Sequence, residues 1–451
     1  MKEKILIVGA GVCGMTLGHK LVAAGYPVTI VEKQAEIGGL ARTFRYDGFC
    51  FDSGPHRFFS SNPEVIRFLE GVFPDGLLTA PMKSSVYFLG KYYDWPLKPR
   101  VLLRLPPRFL VRVFFDFLKS LFGRKGAPPK DFKDYVIRKY GRTLYDLDFG
   151  PYTEKFTKLP NTSIHPDWAK AGINRAAIDE DIKMNSLLDV IKTALKPPPR
   201  VTIYYPGKGI SEFHSRLSES IVEGGGVILT RTKVASFIVE GRTIREAVLE
   251  PGGRRLKFDT VIWTAPIDEV GDLLGVAPSD LDYLNIVIFN ISLRGTPKHD
   301  YQWVYFVDED IVFNRLYNSV KFSAGSAPPG SYGLCVEVTC REGAEVWRDP
   351  SASYQEIVEA LRRVEFIDDR DEVIAIHHEK LEKAYPLYKT NYRKELKERL
   401  DNLLRIKNLT LAGRTGLFWY NNMDHSIENA FEVADDVVRG RRSAESIKFW
   451  E

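Results

Sequence analysis

The residues with the clearest chemical purpose form the pattern Gly9-x-Gly11-x-x-Gly14, followed further along by Glu32. Glycines at this spacing let a backbone turn tightly, approach a pyrophosphate closely and pack against the next helix. The free N–H groups at the start of that helix attract phosphate. Glu32 is expected to accept hydrogen bonds from ribose hydroxyl groups. The predicted chemistry is binding of a dinucleotide.

The elements around this motif support that prediction. Residues 5–8 form a β-branched and apolar run, residues 15–24 read as a helix, and residues 28–31 read as a second strand. A strand buried on both faces gives such a continuous apolar run. The sequence therefore predicts an α/β fold with a Rossmann-type βαβ unit.

Two further segments extend the motif. They are Gly38-Gly39 with Arg42, and Gly54-Pro55-His56-Arg57. In this order they resemble the amine-oxidase and protoporphyrinogen-oxidase superfamily of flavoenzymes. The resemblance implies FAD rather than NAD as the cofactor. It also implies that the glycine pair and Arg42 hold the pyrophosphate, and that the segment with His56 runs beneath the isoalloxazine ring.

The same resemblance adds cofactor-binding residues from later in the chain. Val234 is expected to meet the adenine through its backbone. The closing strand, turn and helix carry Gly413, Arg414, Met423 and Asp424, and are expected to bring a helix N-terminus to the flavin. A structural alternative for Asp424 is to cap that helix.

Several segments resemble the UDP-galactopyranose mutases in particular. They are 54–58, 151–155, 264–268, Arg315 with its neighbours, and the C-terminal signature 413–424. Two positions depart from that pattern. Phe156 begins the segment where mutases carry a sugar-contacting tryptophan, and Phe418 replaces a tyrosine that meets the diphosphate. Both changes are expected to weaken diphosphate binding.

The candidate catalytic residues are His56, Arg57, Arg315, Tyr385, Arg414 and Tyr420. Guanidinium groups suit phosphate or carboxylate, so Arg315 and Arg414 are candidates to anchor an anion. His56 is a candidate to contact the flavin edge or relay a proton. Each has a structural alternative: a surface arginine, a histidine that orders its turn, or a core tyrosine.

Three functions remain open at this level. The leading hypothesis is an FAD-dependent oxidoreductase that passes hydride from a small-molecule substrate to the flavin. The second is a redox-neutral mutase acting on a nucleotide-linked or lipid-linked sugar. The third is a protein that holds flavin and binds a membrane or a partner without turnover.

Repeated βα signals predict a discontinuous FAD-binding domain and a mixed α+β substrate domain. The FAD-binding domain comprises 1–80, 200–275 and 380–451. The substrate domain comprises 81–199 and 276–379, with a helical segment at 96–126.

Composition further narrows the possible binding partners and the cellular location. The 451 residues carry 63 basic and 59 acidic side chains, a net charge of only +4, which does not favour nucleic acid as a partner. Four cysteines without a CxxC pair or a Cys/His cluster predict reduced thiols, no metal site and a cytoplasmic protein. No feature predicts an oligomeric state.

One segment stands apart from this average composition. Residues 98–125 hold eight basic residues and one acid, Asp116, and the part from Arg108 to Phe122 reads as a helix with a wide aromatic face. A basic aromatic helix of this kind suits the inner face of a membrane. The alternative is a core helix with a solvated basic stripe.

Overall fold

A five-stranded parallel sheet forms one half of the molecule. The computed structural model describes residues 2–96, 104–121, 128–174 and 201–441. Across the sheet the strands run in the order Leu409–Leu411, Thr260–Trp263, Ile5–Val8, Val28–Val31 and Val227–Leu229. They come from the three separate stretches of sequence expected to contribute βα units.

Both faces of this sheet are buried, as its apolar strands predict. Ile5 and Ile7 pack on one side with helices Val12–Ala23, Ser211–Glu223 and Met423–Val438. The alternate residues Leu6 and Val8 pack on the other side. That side is covered by three antiparallel strands, Lys233–Glu240, Thr243–Glu250 and Arg254–Lys257.

A seven-stranded sheet forms the second half. Its strands, in order, are Glu372–Leu387, Asp282–Arg294, Ser331–Cys340, Arg315–Asn318, Trp303–Phe306, Ser84–Phe88 and Lys91–Trp95. Neighbours are antiparallel except for the parallel pair 303–306 and 84–88. The first strand continues through the boundary expected at 379/380.

The register of this sheet decides which side chains share a face. Ile288 lies opposite both Glu337 and Glu379, and Arg315 lies opposite both Glu337 and Tyr305. Directly opposed residues point to the same face of a sheet. A charged row therefore crosses the face that packs toward the parallel sheet, while the other face packs on helix Tyr354–Arg363.

The remaining elements connect the two halves. Thr43–Tyr46 and Phe49–Asp52 form a hairpin, and Leu78–Pro81 pairs antiparallel with Thr202–Tyr205. The other helices of seven or more residues are Pro63–Val72, Pro107–Leu121, Phe132–Tyr140, Gly150–Thr157, Ile267–Leu273 and Tyr392–Leu403. None of the helices in the described ranges is long and apolar enough to cross a membrane.

The basic aromatic segment forms helix Pro107–Leu121, close to the predicted 108–122. Phe109 and Leu110 pack inward, but Phe114 and Phe115 stay exposed. One face of the helix therefore packs on the body of the protein, and the other face is exposed. The flanks 97–103 and 122–127, the substrate-domain stretch 175–200 and the end 442–451 lie outside the described residues.

Candidate functional site

A cavity of about 1100 Å³ runs from the carboxyl ends of the parallel strands to the charged row of the large sheet. Ligands of open α/β sheets bind at such an edge. Most of the predicted site residues line this cavity: Gly9, Gly11, Glu32, Gly38, Gly39, Arg42, Pro55, His56, Arg57, Val234, Arg315, Tyr385, Gly413, Arg414, Tyr420, Met423 and Asp424. Gly14 and Gly54 do not line it, and act through the backbone beside it.

The first glycine turn has the geometry that its spacing predicts. Gly9 has φ +103°, which favours glycine, and a Cβ on Gly14 would lie 2.0 Å from the carbonyl oxygen of Gly9. Glu32 is buried at the end of its strand and accepts hydrogen bonds from the N–H groups of Ala10 and Gln34, both at 2.8 Å. The acid therefore supports the turn as well as facing the cavity.

The glycine pair lies directly against this turn. The N–H of Gly38 donates to the carbonyl of Ala10 at 2.8 Å, and a Cβ on Gly39 would lie 3.1 Å from Cα of Gly11. Nearby, Nε of Arg42 is buried without a hydrogen-bond partner among the described residues. A bare backbone cleft with an acid and an unsatisfied guanidinium nitrogen fits the ribose and pyrophosphate of FAD.

His56 occupies the centre of the cavity wall. Burial, followed by the charges of Arg315, Arg414 and Arg57, lowers the pKa of His56 to about 3. Its Nδ1 is buried and has no protein partner in the described structure. His56 is therefore a neutral imidazole at physiological pH, able to donate or accept one hydrogen bond toward the cavity.

Arg315 and Glu337 form a buried bidentate pair beside His56. The Nε and Nη2 atoms of Arg315 donate to the two oxygens of Glu337 at 2.8 and 2.7 Å, and Nη2 also donates to the Tyr385 hydroxyl at 3.3 Å. Burial lowers the pKa of Arg315, but the charge and hydrogen bonds of Glu337 together with the nearby Tyr385 and Tyr305 outweigh burial and raise that pKa. Glu337 is only 2% exposed, so it fixes the guanidinium and offsets its charge.

Two more guanidinium groups complete a cationic cluster. Arg414 lies over the rings of Tyr385 and Tyr420, with its Cζ 4.5 and 5.0 Å from their centroids. Arg57 lies over Trp303 at 4.2 Å. The Nε atoms of Arg57 and Arg414 are buried without protein partners in the described parts of the chain.

Three guanidinium groups therefore meet at this end of the cavity with two carboxylates, Glu337 beside Arg315 and Asp424, which lines the cavity and acts on Arg57. Such a cluster attracts an anion and repels an ammonium group.

The structure adds two residues that the sequence did not single out. Glu337 lies within an otherwise apolar strand and matches no motif. The signal that could have identified it is that it is the single acid in the run from Leu334 to Cys340. Trp168 packs against Phe156 and Tyr420, with ring centroids 6.0 and 5.1 Å apart. The indole is buried and does not line the cavity, so it supports Tyr420 from behind.

Two expectations need correction. Phe418 is fully buried against Tyr283 and Tyr388 and does not line the cavity, so its missing hydroxyl does not face a ligand there. Asp424 is not the cap of the closing helix. Asn422 occupies the N-cap position and forms a capping box with His425, while Asp424 lies in the first turn.

Comparison with known proteins agrees with this architecture. The sequence profile of the flavin containing amine oxidoreductases matches residues 12–447. A probable UDP-galactopyranose mutase of Klebsiella pneumoniae is 26% identical over 160 residues, which are 34% of this chain and 40% of that protein. The chain thus matches less than half the length of that relative.

Two solved structures share the fold across the whole chain. A reduced UDP-galactopyranose mutase superimposes with a TM-score of 0.85 at 21% identity, covering 99% of this chain and 98% of the other. A putative protoporphyrinogen oxidase from Exiguobacterium sp. 255-15 superimposes with a TM-score of 0.73 at 14% identity, covering 98% and 100%. With the profile match over nearly all its length, the chain belongs to the flavin-containing amine oxidoreductase family, and its cofactor is FAD.

Proposed function

We propose that this chain is an FAD-dependent oxidoreductase that takes hydride from an anionic small-molecule substrate. The observation that carries the proposal is the cluster of Arg57, Arg315 and Arg414 around the neutral His56. Its net charge favours a phosphate or carboxylate and disfavours the ammonium group of an amine. When bound, the flavin supplies the two-electron chemistry that side chains lack.

The glycine turn and its neighbours would hold the nucleotide end of FAD. Glu32 would accept from the ribose, and the N–H groups near Gly11 and Gly39 would face the pyrophosphate. Arg42 would add a charged donor. The start of helix Met423–Val438 would direct its positive end toward the ring system.

The opposite wall would hold the substrate. Glu337 keeps Arg315 in one orientation, and the rings of Tyr385 and Tyr420 keep Arg414 in place. Both guanidinium groups would therefore meet an anionic substrate without first losing side-chain freedom. His56 would hold the substrate or the ring edge by one hydrogen bond, and an external electron acceptor would complete each cycle.

A redox-neutral mutase acting on a nucleotide-linked or lipid-linked sugar is the second candidate. It is favoured by the position of Phe418 outside the cavity, where the missing hydroxyl would cost no contact with a diphosphate. A mutase would use the same three guanidinium groups to bind its phosphate. A mutase would consume no electron acceptor.

The charge preference is tested by binding of small ions to the FAD-loaded protein. Inorganic pyrophosphate is expected to perturb the visible flavin spectrum saturably, and the diamine putrescine is expected to leave it unchanged. In the variant Arg414→Gln, pyrophosphate should bind about 10-fold or more weakly, because one hydrogen bond to a charged group is lost. Saturable binding of putrescine without a response to pyrophosphate would refute the proposed substrate class.

A further inference from the structure

Helix Pro107–Leu121 has two unlike faces. Phe109 and Leu110 pack against the small apolar cluster of Val86, Phe88 and Leu105. The opposite face carries Val111, Phe114 and Phe115, which are 55%, 50% and 55% exposed. Large apolar side chains exposed together on one helix indicate an interaction surface.

The exposed face is also basic. Arg108, Arg112 and Lys119 are exposed and recur at intervals of four or seven residues, so they lie on the same side of the helix as Phe115. Their cations therefore surround the exposed aromatic rings. We call the set Arg108, Val111, Arg112, Phe114, Phe115 and Lys119 the outer face.

The one acid of the helix, Asp116, lies at the border of this surface, in a hollow that Arg112, Phe115 and Lys119 also line. Asp116 is half-buried and accepts a hydrogen bond from the N–H of Thr143 at 2.6 Å. A Cβ on Gly141 would lie 2.7 Å from Cβ of Asp116, which shows how closely the two segments pack. The acid thus anchors the helix to the body of the protein. The neighbouring Asp146 is paired with Arg142, so the three basic side chains leave the outer face net positive.

We infer that the outer face seats this protein on the anionic surface of a lipid bilayer. A helix of fifteen residues is about 22 Å long, enough to lie in the plane of the interface and too short to span it. The rings enter the acyl boundary while the arginines meet lipid phosphates. A second copy of the chain fits less well, because the two outer faces would bring like charges together.

The test uses FAD-loaded full-length protein and sedimentation with vesicles of phosphatidylcholine alone or with phosphatidylserine. Binding is expected only with phosphatidylserine, and is expected to weaken as salt is raised. The double variant Arg108→Glu/Arg112→Glu should bind at least about 100-fold more weakly, because each basic residue near an anionic surface contributes roughly 1 kcal/mol. The matched control is Lys394→Glu/Lys397→Glu, the same charge change on another exposed helix, which should bind as the original protein does.

A second variant separates insertion of the rings from attraction between charges. Phe114→Ser/Phe115→Ser keeps every charge, and should lose most of its vesicle binding while retaining FAD and melting temperature. Equal binding by this variant, or equal loss in the Lys394→Glu/Lys397→Glu control, would overturn the inference. A dimer that these phenylalanine changes dissociate, without vesicle binding, would overturn it in favour of a second copy.

Discussion

The change Glu337→Gln should make the protein less stable and yet bind anions more tightly. Glutamine keeps the shape of the side chain but removes the charge that both donor atoms of Arg315 contact at 2.7 and 2.8 Å. The guanidinium would then lie buried without a counter-ion. Its positive charge would become available to any anion in the cavity.

The structure sets the size of both effects. Removing one partner of a buried ion pair costs about 3–5 kcal/mol, and Glu337 is buried. For a chain of this length that cost lowers the melting temperature by roughly 3–5 °C, at about 2.1 cal/mol/K of unfolding entropy per residue. A carboxylate about 6 Å from a bound anion repels it by about 3 kcal/mol at an effective dielectric constant of 20. Its removal should therefore tighten pyrophosphate binding by about 10- to 100-fold.

The assay combines thermal unfolding followed by flavin fluorescence with a pyrophosphate titration followed by flavin absorbance. Glu372→Gln is the matched control, because it makes the same change in an exposed pair with Arg294, where the effect on stability should stay below about 1 kcal/mol. Arg315→Gln/Glu337→Gln should recover stability relative to Glu337→Gln and lose the gain in affinity. Unchanged or weaker pyrophosphate binding by folded, FAD-loaded Glu337→Gln would refute this account of the pair.

Other predictions concern the cofactor cleft and the pH dependence of stability. Glu32→Ala should weaken FAD binding by about 10- to 100-fold, measured by fluorescence of released flavin, since charged hydrogen bonds contribute roughly 1.5–3 kcal/mol; full retention would contradict the assigned ribose contact. Gly39→Ala should purify with little FAD because its Cβ would approach Gly11, whereas Gly241→Ala, with a similar φ of +60° but open space around it, should purify yellow. Burial lowers the pKa of His214 to about 4, so the unfolded chain takes up a proton first and stability falls as pH drops from 6.5 toward 4. His214→Phe should remove about 2 kcal/mol of that loss at pH 5. An equal fall of the melting temperature with pH in both proteins would contradict this.

Local signals made the nucleotide-binding half predictable. The first βαβ unit depends on neighbouring residues: apolar runs for the strands, glycines for the turn and an acid at the end of the second strand. The structure has these elements at Ile5–Val8, Val12–Ala23 and Val28–Val31. Both strands have the predicted bounds, whereas the helix runs from Val12 to Ala23 rather than over 15–24, because helix ends depend on caps as well as on pattern.

The substrate end depends on contacts that sequence spacing does not reveal. Glu337 meets Arg315 only because two strands pair in one register, and a slip of one residue would place them on opposite faces. Trp168 reaches Tyr420 from a distant short helix. Motif resemblance located the arginines, but it could not show that one of them is held by a buried acid.

The exposure of helix Pro107–Leu121 was also undecided at the sequence level. Its wide aromatic face fits either a core or an interface. In the structure Asp116 bonds to Thr143 and Phe114 and Phe115 are exposed, which supports the inferred interface.

The most direct test of the proposed function is anaerobic mixing of the FAD-loaded protein with a panel of sugar nucleotides, lipid-linked sugar phosphates and other phosphorylated or carboxylated compounds. An oxidoreductase starts from oxidised flavin, so its substrate alone should bleach the visible band in a single turnover, and admitting an electron acceptor should restore it. The contradicting result has two parts: none of these compounds bleaches the oxidised flavin, and the dithionite-reduced protein converts a sugar substrate many times without being reoxidised. Together these results would establish the redox-neutral mutase instead.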